Sequence, residues 1–337
     1  MKEAKSRIWL LSNMKTILIV LVVFGHILPR VSGLGEIRTN LRIFIWMFHM
    51  PAFLFVSGFL SKNLEKCREK AVSSRLVPYV VMTCIVVLSR TFLGGKDFHF
   101  SLVVPVLTAW YFLVLFWYAM FTPEVVKIRW CFLWAVLLSL GIGVIDGVGD
   151  AYAFSKTFAF FPFYLAGYYC KEEHLQKIKS LPKICSLFAF AGAMGIAWWF
   201  HTRENVDVVV MFSQKSSYHA LGLGDLQGIL YRGLGFVGAV LMIFVLIQLC
   251  SAKKRPLSYI GDNTLVVYSF HMAFLYLIDW LGLNRNTGFF ALQFLQVILF
   301  TAVTVFLLSL PIWNRLYLKF LNGICNLFLK KEDSQNS

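Results

Sequence analysis

Apolar runs of nearly membrane-spanning length recur along the whole chain, and short breaks containing charged residues, glycine, proline or asparagine separate them. A transmembrane helix needs about 17 to 25 predominantly apolar residues. Ten runs fit this description, near residues 14–33, 42–61, 72–93, 102–121, 129–146, 155–171, 183–200, 228–250, 263–283 and 289–311. The pattern therefore predicts an all-α, polytopic membrane helix bundle whose ten spans form one transmembrane domain over residues 1–311.

The two ends of the chain have patterns of their own. The first run follows a basic start, as in a secretion signal, but Lys15 interrupts it and no small-residue cleavage site follows, so we expect a retained helix. In residues 312–337, apolar side chains such as Leu316 and Phe320 recur at helical spacing among basic ones. This segment predicts an amphipathic helix in the cytoplasmic interface, followed by a short polar tail.

Composition excludes an ordinary soluble domain. Hydrophobic residues make up 58% of the chain and charged residues 15%, and the mean hydropathy is +0.70; soluble domains carry about 25% charged residues. The net charge of +15 would suggest nucleic acid in a soluble chain, but alternating basic loops explain it better here, so we expect no nucleic-acid partner. The seven cysteines have neither CxxC nor metal-ligand spacing, so we expect no metal site.

Lysine and arginine concentrate on one side of the predicted bundle. The loops 62–75, 122–130, 171–183 and 251–262, with the two termini, hold 21 of them, including Lys2, Lys5, Arg7, Lys330 and Lys331. The opposite loops hold eight: Arg30, Arg38, Arg42, Lys96, Lys156, Arg203, Lys215 and Arg285. Because cytoplasmic loops carry the excess of basic residues, we expect both termini in the cytoplasm and a multi-pass protein of the plasma membrane.

Ionisable residues inside a span are costly and mark functional sites by default, and the informative ones here are Lys15, His26, His49 and His271. His26 and His49 lie on adjacent antiparallel helices, each about seven residues, or roughly 10 Å, below the outer face. We therefore expect the two rings to share a cavity. A structural hydrogen bond remains the alternative for His271, and snorkelling to the headgroups remains the alternative for Lys15.

Two aromatic residues of the fourth span, Trp110 and Tyr111, lie at a similar depth of roughly 10 to 13 Å. Together with His271 they are candidate substrate contacts, with packing as the alternative for the two aromatic residues. An apolar pocket favours the uncharged imidazole, which can accept a proton from a hydroxyl or attack an activated acyl group. The spans contain neither paired carboxylates nor a GxSxG elbow. Acyl transfer is thus favoured over glycosidase, serine-hydrolase and P-loop chemistry.

The run from Ser12 to His26 resembles the first helix of the acyltransferase-3 family of integral membrane O-acyltransferases, whose signature is a basic residue, ten residues and a histidine. Lys15 and His26 have that spacing. Further similar motifs follow in the expected order: Phe48-His-Met-Pro51 with Phe55-Val-Ser-Gly58, Arg75-Leu-Val-Pro-Tyr79, Trp110-Tyr-Phe-Leu113, Ser155 to Gly167 around Pro162, and Gly261-Asp-Asn-Thr264 with Tyr268 and His271. The pattern is most similar to the fucose O-acetylase-like and capsule or exopolysaccharide O-acetyltransferase branch.

The resemblance implies that acetyl-CoA supplies the acyl group from the cytoplasm and that the acceptor is a hydroxyl of a cell-surface or capsular glycan, or of its lipid-linked saccharide precursor. It implies that His26 is catalytic and that Lys15 is its basic partner. It also places Arg68 and Arg75 in the first cytoplasmic loop, where family members carry a basic cluster for the CoA phosphates. Ser12 replaces the usual acidic residue, and Lys15 replaces the more common arginine, which removes a bidentate donor.

Several alternatives stay open at the level of sequence. His26 acts either as a general base or as an acyl carrier, and His49 orients either the acceptor or His26. The basic loop 62–75 serves either CoA phosphates or only membrane topology and anionic lipid. The outer loop 201–227 is long enough to shape acceptor choice. A transporter or flippase for a lipid-linked sugar is the second hypothesis, and a non-catalytic scaffold is the third.

Overall fold

A computed structural model describes residues 8–203 and 206–329, and this part of the chain folds into α-helices with short 3₁₀ and π turns and no strand. The helices are α1 (Trp9–Ile27), α2 (Gly35–Leu60), α3 (Leu64–Glu69), α4 (Val77–Phe92), α5 (Trp110–Val125), α6 (Cys131–Gly141), α7 (Phe154–Tyr169), α8 (Glu172–Ser180), α9 (Lys183–His201), α10 (Val208–Phe212), α11 (Asp225–Leu249), α12 (Ser258–Asp262), α13 (Thr264–Trp280), α14 (Phe290–Leu308) and α15 (Pro311–Phe328). The basic residues Lys2, Lys5, Arg7, Lys330 and Lys331 lie outside the described residues.

Each of the ten predicted spans overlaps a helix. Within the described residues, six helical segments are long and apolar enough to cross a membrane: Trp9–Arg30, Gly35–Leu60, Val72–Phe92, Lys183–His201, Asp225–Leu249 and Phe290–Leu308. Cys131–Val144 and Thr264–Trp280 are shorter apolar helices. The all-α, polytopic membrane fold is confirmed; the number of ten spans and the cytoplasmic position of both termini stay predictions.

The fourth predicted span was wrong at its start, because helix begins at Trp110 and not at residue 102. Pro105 lacks the amide hydrogen that a helix interior needs, and Leu107 adopts a positive φ of 45°. Side chains from other helices hold the backbone of this loop: the Tyr79 hydroxyl donates to the Leu102 carbonyl at 2.8 Å, and the Tyr268 hydroxyl donates to the Thr108 carbonyl at 2.7 Å. The loop thereby becomes part of a cavity wall.

Glycine allows α2 and α7 to pack backbone against backbone. A Cβ atom on Gly58 would collide with the Tyr164 carbonyl, and a Cβ atom on Gly167 would collide with the Phe55 carbonyl. Small residues bring membrane helices close enough for dispersion and polar contacts to stabilise their packing. This contact fixes α7 against α2 and so fixes the positions of their more distant side chains.

The N-terminal end of α1 is tied to α12 and to the loop before it. The Gly261 amide donates to the Thr16 hydroxyl at 3.0 Å, and the Asn13 side chain donates to the Ser251 carbonyl at 2.7 Å and to the Lys253 carbonyl at 3.0 Å. A Cβ atom on Gly261 would meet the backbone of α1. The motif that begins at Gly261 therefore anchors the start of α13 to the first helix.

Two lysines cap the ends of long helices. The Lys62 ammonium donates to the carbonyls of Gly167, Tyr168 and Cys170 at the end of α7. The Lys179 ammonium donates in the same way to Ile247, Gln248 and Cys250 at the end of α11. The last carbonyls of a helix have no partner within it and carry partial negative charge, so an ammonium group satisfies and stabilises them.

The last described helix, α15, matches the amphipathic segment expected after residue 311. Its buried face carries Tyr317 and Leu321, which pack against Val81 and Val266. The Tyr317 hydroxyl also donates to the Ser269 hydroxyl at 3.1 Å. This face joins α15 to α4 and α13, while the location of the helix in the cytoplasmic interface stays a prediction.

Candidate functional site

Lys15 and His26 lie on one face of α1. Eleven residues advance a helix by just over three turns, so the two side chains differ by about 20° around the axis and by roughly 16 Å along it. Lys15 lines one cavity and His26 lines another. The basic residue and the histidine of the sequence pattern therefore belong to two successive cavities along the same helix face.

The cavity at His26, here called the histidine cavity, has a volume of about 390 Å³. His49 lines it as well, so the expectation that the two rings share a cavity is confirmed. The Trp46 ring stands between them, with its centroid 5.2 Å from each imidazole centroid. The other lining residues are Val22, Arg42, Met50, Pro105, Leu107, Thr108, Trp110, Asp150, Lys156, Phe160, Val209, Val210, Phe212, Ser213, Lys215 and Tyr268.

The imidazole nearest to His26 belongs to His271 on α13, with 5.3 Å between the ring centroids. His271 Nδ1 lies 2.8 Å from the Tyr268 carbonyl and 3.2 Å from the Val267 carbonyl. Because a carbonyl only accepts, these contacts assign the ring hydrogen to Nδ1. The His271 Nε2 atom is then a hydrogen-bond acceptor, and it is buried without a partner among the described residues.

His49 is oriented in the same way. Its Nδ1 atom lies 2.7 Å from the Ile45 carbonyl one turn earlier on α2, which again places the hydrogen on Nδ1. The His49 side chain is buried at 4% exposure, and its ring faces the histidine cavity beside Trp46. Its Nε2 atom is therefore available to accept a hydrogen bond from a ligand hydroxyl.

The second cavity, here called the lysine cavity, has a volume of about 170 Å³ and is lined by Lys15, Ser57 and Tyr111 among others. The Tyr111 and Ser57 hydroxyl oxygens are 2.8 Å apart. Tyr268 lines both cavities, and its ring centroid is 5.1 Å from that of Tyr111. The two cavities thus meet at Tyr268, and Tyr111 supports it from the lysine side.

Trp110 and Tyr111 were predicted together but lie in different cavities. Trp110 lines the histidine cavity and stacks on Phe160 with 5.5 Å between centroids, whereas Tyr111 lines the lysine cavity. Neighbouring positions on a helix point about 100° apart, which explains the separation. The pair therefore forms part of the wall between the cavities.

The two arginines proposed for CoA lie in the segment between α2 and α4, Arg68 on α3 and Arg75 in the π turn before α4, and neither lines the two cavities. Arg68 forms an exposed ion pair of 3.3 Å with Glu124. Arg75 donates to the Cys67 carbonyl at 3.3 Å and to the Ser74 hydroxyl at 2.9 Å. Both guanidinium groups lie on the side of the molecule that carries the Lys15 end of α1, and their role toward a ligand stays a prediction.

Sequence reasoning did not select several charged residues of the histidine cavity. Lys156, buried at 5% exposure, pairs with Asp150, and its ammonium lies 5.9 Å from the Trp110 ring. Lys156 is the second residue of the predicted sixth span, so its charge at the start of an apolar run could have marked it as a candidate site residue. Arg42 starts the predicted second span and carried the same signal, whereas Lys215 carried none, because only the packing of the loop after α10 brings it to the cavity.

Two comparisons with known proteins bear on this arrangement. The sequence profile of the acyltransferase-3 family, described as an acyltransferase domain, matches residues 9–314. The chain belongs to the acyltransferase-3 family. The match begins at the first residue of α1 and ends inside α15, so both cavities lie within the acyltransferase domain. The protein is accordingly a polytopic membrane protein of an acyltransferase family.

The second comparison gives one partial relative. The nodulation protein NolL of Sinorhizobium fredii (strain NBRC 101917 / NGR234) is 36% identical over 131 residues. The matched stretch covers 37% of this chain and 32% of that protein, so the chain spans about a third of the relative's length. No solved structure matches the chain. The family assignment therefore comes from the profile, and the arrangement of the two cavities comes from the structure of this chain alone.

Proposed function

We propose that this acyltransferase moves an acetyl group from cytoplasmic acetyl-CoA to a hydroxyl of a cell-surface or capsular glycan, or of its lipid-linked precursor, at the plasma membrane. The observation that carries the proposal is the junction of the two cavities at Tyr268, with Lys15 on one side and His26 on the other. A donor and an acceptor that enter from opposite faces of the membrane would meet at such a junction.

In the proposed reaction His26 is the general base. It takes the proton of the acceptor hydroxyl while the hydroxyl oxygen forms a bond to the thioester carbonyl carbon, and the carbon–sulfur bond then breaks. The CoA sulfur leaves as a thiolate and recovers the proton from His26, so protons balance. General-base catalysis of this kind contributes about 10²- to 10⁴-fold. This route needs no acyl-histidine, because the acceptor and donor sites adjoin.

His271 supports this role of His26 as a positioning residue. Its Nε2 atom is a buried acceptor that lacks a partner in the part of the chain that the structure describes, and the His26 ring is its neighbouring imidazole. We assign to His26 the N–H that this acceptor requires. The other His26 nitrogen then carries a lone pair toward the acceptor hydroxyl, much as second partners fix the tautomer of catalytic histidines elsewhere.

On the donor side, Lys15 and the basic loop supply the positive charge that acetyl-CoA needs. Lys15 lines the lysine cavity, and Arg68 and Arg75 lie on the adjoining cytoplasmic loop. Phosphate groups bind well to lysine and arginine through charge-assisted hydrogen bonds. We propose that the arginines hold the CoA phosphates while the acetyl-bearing end reaches toward Tyr268.

On the acceptor side, His49 and Trp110 are the proposed contacts. His49 offers an Nε2 acceptor to a sugar hydroxyl, and Trp110 offers an aromatic wall. Helix α10 and the loop after it contribute Val209, Phe212 and Lys215 to the same cavity, which fits the expected part of the outer loop in acceptor choice. Membrane lipid surrounds the apolar outer faces of the bundle.

Acetyl transfer by the purified protein tests this proposal. In detergent, with radiolabelled acetyl-CoA and a glycan extract of the source cell, the wild type should label saccharide. His26→Ala should lose about 10²- to 10⁴-fold of that rate while it keeps its thermal unfolding midpoint. If the protein is a transporter or flippase, which is the second hypothesis, neither the wild type nor His26→Ala should label saccharide. Labelling by His26→Ala at the wild-type rate would contradict the assigned base.

A further inference from the structure

The histidine cavity holds more positive than negative charge. Arg42, Lys156 and Lys215 line it, and Asp150 is the lining carboxylate. Asp150 pairs with Lys156. Over residues 8–203 and 206–329, neither Arg42 nor Lys215 forms an ion pair within 4 Å; Arg42 has Asp207 and Arg38 as longer-range charged neighbours. The cavity therefore has two cations that no side chain neutralises at contact distance.

Arg42 also has an unmet hydrogen-bonding requirement. Its Nε–H group is buried and has no hydrogen-bond partner within residues 8–203 and 206–329, whereas the side chain as a whole is half-buried. An unsatisfied buried donor of a charged group is costly. A ligand oxyanion within the histidine cavity would satisfy it, and a guanidinium group matches the geometry of carboxylate and phosphate oxygens.

Arg42 lies on the same face of α2 as residues that adjoin His26, the proposed general base. Arg42, Trp46 and His49 are spaced i, i+4 and i+7 and so lie on one face of α2. Along the helix axis, Arg42 is roughly 6 Å from Trp46, whose ring contacts His26. A ligand anion at Arg42 therefore lies about one sugar unit away from a hydroxyl at His26.

Two of the three cations of the cavity, Arg42 and Lys156, accompany an aromatic ring. The Arg42 guanidinium is 5.7 Å from the Trp46 ring centroid, and the Lys156 ammonium is 5.9 Å from the Trp110 ring centroid. Aromatic rings bind cations through their faces and offer apolar area to a ligand at the same time. The wall thus alternates apolar surface with positive charge, which suits a sugar ring that carries an acidic group.

We infer that the acceptor of this enzyme is an anionic saccharide, whose carboxylate or phosphate oxygens bind Arg42 and Lys215 while its hydroxyl reaches His26. The inference rests on the proposed function and specifies its substrate class. A uronic acid and a sugar phosphate, such as the linkage of a lipid-carried precursor, offer the same oxyanion chemistry. Glucuronate and glucose 1-phosphate, compared side by side, distinguish a carboxylate from a phosphate as the bound group.

Binding measurements on the full-length protein test the inference without depending on turnover. Glucose, glucuronate and glucose 1-phosphate are titrated against the purified wild type, and the shift of the thermal unfolding midpoint reports binding. Glucuronate or glucose 1-phosphate should bind about ten- to a hundredfold more tightly than glucose, as loss of a charge-assisted hydrogen bond costs that much affinity. Arg42→Gln should remove the preference, and Arg42→Lys should keep part of it.

Lys96→Gln is the matched control, because it removes one exposed positive charge from a predicted outer loop that does not line the cavity. It should keep the wild-type preference for anions. Equal binding of glucose and both anions, or equal loss of the preference in Arg42→Gln and Lys96→Gln, would overturn the inference. If the protein binds anions selectively but labels no saccharide, the proposed function is contradicted and the anion-binding site at Arg42 is still supported.

Discussion

The imidazole rings of His26 and His271 lie 5.3 Å apart between centroids, although they come from the first and the thirteenth helix. Two backbone carbonyls of α13 fix the hydrogen of His271 on Nδ1. The buried Nε2 atom is therefore an acceptor, and no group of the described residues donates a hydrogen bond to it. Of the two rings, His271 thus offers an acceptor, and the proposed function assigns the donating N–H to His26. In this arrangement His26 keeps its second nitrogen for the acceptor hydroxyl.

Substitutions of His271 test that assignment. His271→Leu removes the acceptor, so kcat should fall about 10²-fold while the KM for acetyl-CoA stays unchanged. His271→Gln supplies an amide oxygen and should recover about tenfold of the loss. Steady-state kinetics with purified variants measures both values, and His99→Gln, an exposed loop substitution, serves as the control. Equal rates for the Leu and Gln variants would contradict a positioning role.

The glycine contact between α2 and α7 predicts a stability effect. Gly58→Ala and Gly167→Ala each place a methyl group against the backbone of the facing helix, so each should destabilise the fold by about 1 to 3 kcal/mol. Thermal unfolding in detergent measures the loss. Gly195→Ala on α9 has open space around the added methyl group and should be neutral or stabilise by about 0.5 to 1 kcal/mol. An unchanged midpoint in Gly58→Ala would show that the helices do not pack this closely.

The Lys62 cap predicts a smaller loss. Lys62→Met keeps the apolar stem but leaves the Gly167 and Cys170 carbonyls without their donor, which should cost about 1 kcal/mol because the group is only part-buried. Lys66→Met changes an exposed lysine of the same loop and should have no measurable effect. Thermal midpoints of the two variants should therefore differ, and equal midpoints would contradict the cap.

The outer loops predict a pH-dependent contact at His219. A hydrogen bond with the Asp146 carboxylate, followed by the charges of Asp146 and Asp225, raises the pKa of His219 above its usual 6.5. Hydrogen bonds from Ser217 and then His219 lower the pKa of Asp146. The pKa of His219 is higher in the folded protein than in the unfolded chain. Its contribution to the stability of the fold is therefore complete below pH 6.5 and is lost as the pH rises through the raised pKa.

Thermal midpoints at about pH 5.5 and about pH 8.5 measure this contact. The wild type should lose more stability over that interval than His219→Gln, whose side chain does not titrate. His99→Gln removes an exposed histidine without these carboxylate partners and should follow the wild type. A steeper pH dependence in His219→Gln than in the wild type would reverse the sign and contradict the prediction.

Local geometry explains why much of the fold and part of the site were predictable. Apolar run length predicted helices at all ten positions, because each helix satisfies its own backbone polar groups within lipid. The spacing of Lys15 and His26 fixed their common face, since eleven residues make just over three turns of any α-helix. The matched depth of His26 and His49 likewise predicted one cavity from helix rise alone.

The sequence by itself thus determined the membrane class of the fold, the family, and the face of α1 that carries Lys15 and His26. Only the tertiary structure decided which distant side chains join them: His271 beside His26, Arg42 and Lys156 in the cavity wall, and Tyr268 between the two cavities. The periodicity of a helix defines which residues share a face. The contacts between faces depend on close approaches such as Gly58 against α7 and on the loop around Pro105, and no local pattern specifies them.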